Sequence, residues 1–135
     1  MNYETRVVSL AVDASAETVY DYAHRIENLP HWATGLASSL HHENGQWFTE
    51  TPGGRVTIAM APRNPYGVLD HDVTPPDGVT LHIAFRVTTI GDGSLLSFVV
   101  LRTPGMTDEA FDQDVAAVEK DLQALKDLVE AQSTS

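Results

Sequence analysis

The sequence predicts an α+β fold in which seven strands form one curved antiparallel sheet and a long C-terminal helix covers one face of that sheet. Three observations lead to this prediction. Short β-branched and apolar runs follow one another through the middle of the chain, separated by turns rich in glycine and proline. One further strand-like run and two short helical segments precede them. The C-terminal segment carries apolar residues at helical spacing over about six turns.

The N-terminal part predicts a strand followed by two short helical segments. Apolar and β-branched residues alternate over residues 5–12, as in a half-buried strand. A short helix should follow, because Ser15 is a good N-cap and Glu17 stands in the first turn, where the helix dipole favours a carboxylate. Pro30 interrupts this helix, and a second helical turn is expected over residues 31–34.

Six further strands are predicted in the middle of the chain. Glu43-Asn44-Gly45 is a strong hairpin signal, and Gly91-Asp92-Gly93 marks another hairpin. Strands that are joined by such short turns run antiparallel. The predicted strands are 36–42, 46–51, 55–61, 68–74, 79–89 and 94–102.

The last predicted element is a helix that Thr107 caps. Its apolar residues from Phe111 to Val129 are spaced by three or four and form a single stripe, which can cover the sheet. A strongly twisted sheet around one helix cannot close tightly everywhere, so we expect a cavity between them. We expect residues 1–135 to form a single domain, with an ordered core from about residue 3 to 130 and a frayed tail.

Composition and charge narrow the possible partners. The chain has 135 residues, 42% of them hydrophobic, and no cysteine, which excludes disulfides and thiolate metal sites. The formal net charge is −11 and the basic residues are scattered, so we predict no nucleic-acid partner and no anionic membrane surface. Neither a secretory signal nor a membrane-spanning run is recognisable, and we expect a cytoplasmic protein without membrane insertion.

Much of the negative charge lies in the predicted final helix. Between Asp108 and Glu130, eight carboxylates face only Lys120 and Lys126. A solvated helix face that keeps the protein in solution explains this pattern. An acidic docking surface is the alternative interpretation.

The order of elements resembles that of the SRPBCC superfamily. The resemblance is carried by Asp13-Ala14-Ser15-Ala16-Glu17-Thr18-Val19-Tyr20, by Asn28-Leu29-Pro30-His31-Trp32 and by the C-terminal helix, and it extends from about Tyr3 to Glu130. This superfamily is the helix-grip group that includes START domains, pollen allergens of the Bet v 1 type and polyketide cyclases. The chain is most similar to the polyketide cyclase/dehydrase-like branch.

The resemblance implies a helix-grip fold with a ligand cavity, but not one activity. Members of the superfamily bind lipids, hormones or polyketides, some catalyse cyclisation or dehydration, and others serve protein partners. No catalytic motif is common to all of them, so no catalytic residue is carried over. The chain is short and its hairpins are tight, which implies a smaller cavity than in lipid-transfer members.

His71 is the candidate catalytic residue. Alternation along the strand 68–74 puts Leu69, His71 and Val73 on one face. If that face turns towards the cavity, the imidazole can orient a ligand carbonyl or act as an acid or base near neutral pH. The alternative is a histidine at the rim, flanked by aspartates in an irregular strand.

Two other positions also have two interpretations. His82 and Arg86 share one face of the strand 79–89, and the opposite face is more apolar, which predicts that both residues lie in solvent. In the reversed register, Arg86 is a buried cation that needs an acidic partner. Trp32 is either a ligand gate at the mouth of the cavity or a core residue that anchors the short helices.

No metal or cofactor motif is recognisable. His41 and His42 are adjacent, so in a strand they point to opposite faces, and no HExxH pattern is present. The glycine pairs belong to hairpin turns rather than to a phosphate-binding loop, and no serine has the context of a nucleophile elbow. We therefore predict neither a metal nor another cofactor.

Three functions are compatible with these observations. The first is binding of a small hydrophobic or aromatic metabolite in an internal cavity between the sheet and the C-terminal helix. The second is a cyclase- or dehydratase-like enzyme with His71 as acid or base, so whether the protein is an enzyme stays open. The third is a protein-interaction module, for example a homodimer, which an open Trp47 or Phe48 on its strand would favour. The predicted cavity residues are Trp32, Val56, Ile58, Met60, Leu69, His71, Phe85, Phe98, Phe111 and Val115.

Overall fold

The structure is a computed structural model that describes residues 4–33 and 39–133. Over these residues it contains eight strands, three α-helices and one 3₁₀ turn. In chain order the elements are β1 (Thr5–Val12), α1 (Ala16–His24), the 3₁₀ turn (Ile26–Asn28), α2 (Leu29–Trp32), β2 (Leu40–Glu43), β3 (Gln46–Thr51), β4 (Gly54–Met60), β5 (His71–Thr74), β6 (Leu81–Ile83), β7 (Phe85–Ile90), β8 (Gly93–Leu101) and α3 (Asp108–Ser133).

The described strands form two antiparallel sheets, with the orders β1-β8-β7 and β2-β3-β4-β5-β6. The prediction of one seven-stranded sheet is therefore wrong, because the predicted strand 79–89 breaks at Ala84. Its first part, β6, pairs with β5, and its second part, β7, pairs with β8. The chain passes from one sheet to the other at Ala84, whose C=O accepts a hydrogen bond from the Val99 N–H at 3.0 Å.

Other element boundaries also differ from the prediction. The predicted strand 68–74 is regular only in β5, since Val68 forms no more than an isolated bridge. Helix α3 continues to Ser133, beyond the expected end of the ordered core. The start of the predicted strand 36–42 and Thr34, the predicted end of the second helical turn, lie outside the described residues.

The local signals for helix starts and tight turns are confirmed. Ser15 Oγ accepts a hydrogen bond from the Thr18 N–H at 3.1 Å and caps α1. Thr107 Oγ1 accepts from the Ala110 N–H at 3.0 Å and caps α3. Asn44 and Gly45 have φ angles of 53° and 77°, which the tight turn between β2 and β3 requires.

The faces of the segment that contains β6 and β7 are as predicted, with one exception. The side chains of His82 and Arg86 are 80% and 53% exposed, whereas Phe85 is buried. The exception is Val79, which the alternation places in the core. It is 62% exposed because regular pairing begins only at the start of β6.

The apolar stripe of α3 contributes to two separate clusters. Leu125 and Val129 are fully buried in the main core, together with residues of α1, α2 and both sheets. Phe111 and Val115, near the start of α3, form a smaller cluster with Val100. The turns of α3 between these two clusters border the cavity described below.

The Asp70 carboxylate holds the chain where the two sheets meet. It accepts hydrogen bonds from the Phe85 N–H at 2.9 Å and from the Arg86 Nε and Nη2 at 3.2 and 3.0 Å. Partial burial raises the pKa of Asp70, but the hydrogen bonds from Arg86 and Phe85 outweigh burial and hold the pKa below its ordinary value. These three residues, hereafter the junction clamp, adjoin both the strand break at Ala84 and the candidate residue His71.

We predict that Asp70→Asn lowers the free energy of unfolding by about 1–3 kcal/mol, because it weakens hydrogen bonds to a charged group. Asp72→Asn is the matched control, since Asp72 pairs with the largely exposed ring of His82 and should contribute less than about 1 kcal/mol. Urea unfolding at neutral pH measures both variants. Equal losses would mean that the junction clamp is no stronger than a surface ion pair.

Candidate functional site

A cavity of about 320 Å³ lies between α2, α3 and the strands on both sides of the sheet junction. Most of its wall is apolar, and the polar lining residues are His71, Thr103, Asp114 and Asp121. None of the described lining residues is a lysine or an arginine. The wall consists of Leu29, Trp32, Ala33, Met60, His71, Val73, Leu81, Ile83, Phe85, Phe98, Val99, Val100, Leu101, Thr103, Met106, Asp114, Ala117, Val118, Asp121 and Leu122.

Half of the residues that the sequence places in the cavity line this space. The structure brings together Trp32, Met60, His71, Phe85 and Phe98. The others lie elsewhere: Leu69 and Ile58 in the main core, Phe111 and Val115 in the smaller cluster, and Val56 buried in β4. Alternation along a strand identifies the inner face, but it does not show which part of that face α3 fills and which part it leaves open.

His71 begins β5 and lies in the aromatic part of the wall. Its ring centroid is 6.4 Å from that of Phe85 and 5.9 Å from that of Phe98. Its Nδ1 lies 3.1 Å from the Leu69 C=O, and since a carbonyl only accepts, Nδ1 carries the proton of the neutral ring. This tautomer leaves Nε2 as the hydrogen-bond acceptor.

The surroundings of His71 favour its neutral form. Burial lowers the pKa of the imidazole from its ordinary value of 6.5. The hydrogen bond to Leu69 and the carboxylates of Asp70 and Asp72 act in the opposite direction but do not cancel the effect of burial. The ring is therefore uncharged at neutral pH and able to accept a hydrogen bond or a proton.

Trp32 is a buried aromatic residue beside the cavity. Its side chain is 4% exposed and packs in the main core, with its ring 5.9 Å from that of Phe85. The core-residue interpretation is confirmed, and the residue also lines the cavity. Its indole N–H has no acceptor among the described residues.

Two carboxylates of α3 stand on the cavity side of the helix. Asp114 and Asp121 are seven residues apart and share a face with Ala117 and Val118, which also line the cavity. Asp114 is exposed to solvent as well, so the cavity opens near this residue. Partial burial raises the pKa of Asp114. The acidic-face interpretation of α3 misses these two positions, although their spacing from Ala117 and Val118 is visible in the sequence.

The edge of β8 also borders the cavity. Val99, Val100 and Leu101 are consecutive, yet all three line the space. Neighbouring strand residues point to opposite faces, so their joint presence means that the strand edge itself faces the cavity. Pairing between β7 and β8 ends at Phe85 and Phe98, and beyond the hydrogen bond from the Val99 N–H to the Ala84 C=O no described strand pairs with this edge of β8. Alternation gives no signal for such an opening, because it is a gap between strands rather than a property of one face.

Trp47 and Phe48 do not form an open aromatic surface. Phe48 is 4% exposed, and the guanidinium carbon of Arg55 lies 3.7 Å from its ring centroid. Trp47 is half-buried and stacks on His42 with 4.3 Å between the ring centroids. An interaction surface built on either residue therefore lacks the exposed aromatic ring that would favour it.

The histidines of β2 point to opposite faces, as predicted. His41 stacks on Phe48, and His42 stacks on Trp47. Within residues 4–33 and 39–133, no three histidine, aspartate or glutamate side chains form a group that could hold a metal ion. No helix in the described parts of the chain is long and apolar enough to cross a membrane.

Comparison with known proteins gives matches in structure only. No protein-family model matches the chain, and no curated protein matches it in sequence. Ara h 8.0201 is similar in structure with a TM-score of 0.65 and 12% identity, over 96% of this chain and 99% of its own. The Aha1 dimer from Colwellia psychrerythraea gives a TM-score of 0.69 and 16% identity over 94% and 96%. DynU16, from the dynemicin biosynthetic locus, gives 0.68 and 14% over 93% of this chain and 47% of its own.

These similarities cover 93–96% of the chain. At such low identities they show the fold and not the ligand or the chemistry. The chain has a helix-grip fold, which confirms the fold that the resemblance of its sequence implied.

Proposed function

We propose that the protein binds a small, mostly apolar molecule in the cavity beside α3. The observation that carries the proposal is the cavity itself, about 320 Å³ of space with an apolar wall and a few polar groups. Ligand pockets measure roughly 300–1,000 Å³ and have walls of this kind. Protein cores rarely contain voids larger than a water molecule, so a space of this size is not a by-product of ordinary packing.

The volume and the wall favour a ligand of one or two rings. An engineered cavity of about 150 Å³ holds benzene, and the cavity here is roughly twice that size. Phe85 and Phe98 form the aromatic part of the wall, with 5.3 Å between their ring centroids. The edges and faces of these two phenyl rings suit contact with an aromatic ring of a ligand better than contact with a flexible chain. DynU16 comes from a biosynthetic locus, which supports a small-molecule role at the level of the fold alone.

A cyclase- or dehydratase-like enzyme is the second candidate, and His71 is the observation that favours it. A neutral imidazole in an apolar wall can take a proton from a carbon next to a carbonyl group. Asp114, whose pKa burial raises, is the carboxyl group in the wall best suited to return a proton. Binding requires only the cavity, whereas the enzyme requires His71 as well, so experiments on His71 separate the two candidates.

Filling the cavity should abolish binding. Ala117→Phe places a ring in the wall of the cavity, whereas Ala116→Phe, the matched control, adds the same ring at an exposed position of α3. The uncharged fluorescent probe N-phenyl-1-naphthylamine reports binding. Wild type and Ala116→Phe should bind it equally, and Ala117→Phe at least about tenfold more weakly. Equal binding by all three proteins would place the probe outside the cavity and contradict the proposal.

The pKa of His71 should lie below 6.5 because burial disfavours the imidazolium. Carbon-13 NMR of the histidine rings across about pH 4 to 8 measures this pKa, and His71→Gln identifies the signal. A pKa at or above 6.5 would mean that the ring is solvated, which would remove the support for the enzyme candidate.

The same shift predicts a pH dependence of stability. Since the folded pKa is lowered, the unfolded chain binds more protons than the folded chain below about pH 6.5. The resulting stability is present above pH 6.5 and is lost as the pH falls towards the folded pKa. Between about pH 7.5 and 5, wild type should therefore lose more free energy of unfolding than His71→Gln. Equal losses in urea unfolding would rule out a buried neutral His71.

A further inference from the structure

We infer that the edge of β8 at residues 99–101 forms hydrogen bonds with the ligand, and that the ligand is a small aromatic amide, such as one aromatic amino-acid residue with an amide bond on each side. The inference rests on the proposed function, because it names the ligand class of the same cavity. Three features carry it: the direction of the backbone groups of β8, the gap between β6 and β8, and the aromatic rings beside that gap.

The backbone hydrogen bonds of β8 show where each residue directs its N–H and C=O groups. In an antiparallel strand these groups point to the two sides alternately, residue by residue. The Val99 N–H donates to the Ala84 C=O at 3.0 Å, on the side away from β1. The Arg102 N–H donates to the Glu4 C=O at 2.9 Å, on the side of β1. Leu101 therefore directs its N–H and C=O away from β1, as Val99 does.

On the side away from β1, no described strand pairs with β8 beyond Val99. Pairing with β7 ends at Phe98, and β6 pairs with β5 instead. Residues 99–101 all line the cavity, and so does Ile83 of β6 on the other side of the gap. The N–H and C=O of Leu101 and the C=O of Val99 are therefore directed into the gap between β6 and β8, which is part of the cavity.

A strand edge in a cavity wall favours a ligand that carries amide groups. Backbone N–H and C=O groups away from water need partners. An amino-acid residue with an amide bond on each side offers one donor and one acceptor, arranged as in a neighbouring strand. A hydrocarbon in the gap would leave the N–H and C=O of Leu101 without a partner. Sites that form hydrogen bonds with their ligand discriminate against compounds that lack the matching group.

The aromatic part of the wall lies next to this edge. Phe98 directly precedes Val99, and its ring and that of Phe85 are 5.3 Å apart between centroids. A ligand whose amide groups pair with Leu101 can place an aromatic side chain against these two rings. The cavity of about 320 Å³ is roughly twice as large as one that holds benzene. It therefore has room for one phenyl ring and a short amide backbone, but not for a long peptide.

Two compounds that differ in a single group test the inference. N-acetyl-L-phenylalanine N-methylamide carries the N–H that should pair with β8, whereas O-acetyl-L-phenyllactic acid N-methylamide has an ester oxygen in its place. Competition with N-phenyl-1-naphthylamine measures both affinities for wild type. We expect the amide to bind about fivefold more tightly than the ester, because one hydrogen bond is lost. Equal affinities would overturn the inference.

Leu101→Pro removes the donor of β8 but no bond to β1, because the Leu101 N–H points away from β1. Leu101→Ala is the matched control, since it shortens the side chain and keeps the N–H. N-acetyl-L-phenylalanine N-methylamide should bind Leu101→Pro about fivefold more weakly than Leu101→Ala, whereas naphthalene should bind both variants equally. Equal weakening of both compounds would mean that proline only narrows the cavity, which contradicts the inference.

A measurement on wild type does not depend on the folding of a variant. Proton–nitrogen spectra follow amide hydrogen exchange at Leu101 and at Val100, whose N–H points towards β1. At equal saturation, N-acetyl-L-phenylalanine N-methylamide should slow exchange at Leu101 at least about tenfold more than naphthalene does, because it pairs with that N–H. Val100 should show no such difference. Equal exchange at Leu101 with the two ligands would refute the hydrogen bond.

The outcomes separate this inference from the proposed function. If N-phenyl-1-naphthylamine, naphthalene and the amide all fail to bind, the proposed function fails. If N-phenyl-1-naphthylamine and naphthalene bind but the amide binds no more tightly than its ester, the cavity is a ligand site and the edge of β8 does not pair with the ligand.

Discussion

The position of the candidate site depends on the hydrogen bonds that the Asp70 carboxylate accepts from Phe85 and Arg86. They lie where one strand segment leaves the larger sheet and enters the smaller one. Asp70 precedes His71 in sequence, and the ring of Phe85 packs against both His71 and Trp32. The junction clamp therefore sets the position of the aromatic wall, while its own charged groups stay near the outer surface.

Around the cavity the chain departs from two tendencies that it follows elsewhere, the filling of space by apolar side chains and the pairing of buried polar groups. Elsewhere the apolar stripe of α3 fills the space against the sheets, but the turns around Ala117 and Val118 leave it open. Trp32 buries an N–H group without an acceptor among the described residues, and Asp114 brings a carboxyl group to a mostly apolar lining. Proteins tend to retain such local conflicts where function requires them, and three of them coincide here.

The fold class was predictable from the sequence because periodicity, caps and hairpin signals are local. The break at Ala84 was not, since the residues on both sides of it follow one alternation and the break is fixed by Asp70, which is distant in sequence. In the site, His71 could be found because alternation reports the inner face of a strand. The edge of β8 at Val99–Leu101 could not, because it depends on how the strands separate. The helical spacing of Asp114 was visible in the sequence, but its place in the cavity lining depends on how α3 lies over the strands.

A crystal structure of the protein grown with 2-naphthol tests the central claim most directly. We expect electron density for the two rings inside the cavity, against Phe85 and Phe98. A cavity closed by its own side chains, or 2-naphthol bound only on the outer surface, would contradict the claim that this space is a ligand site.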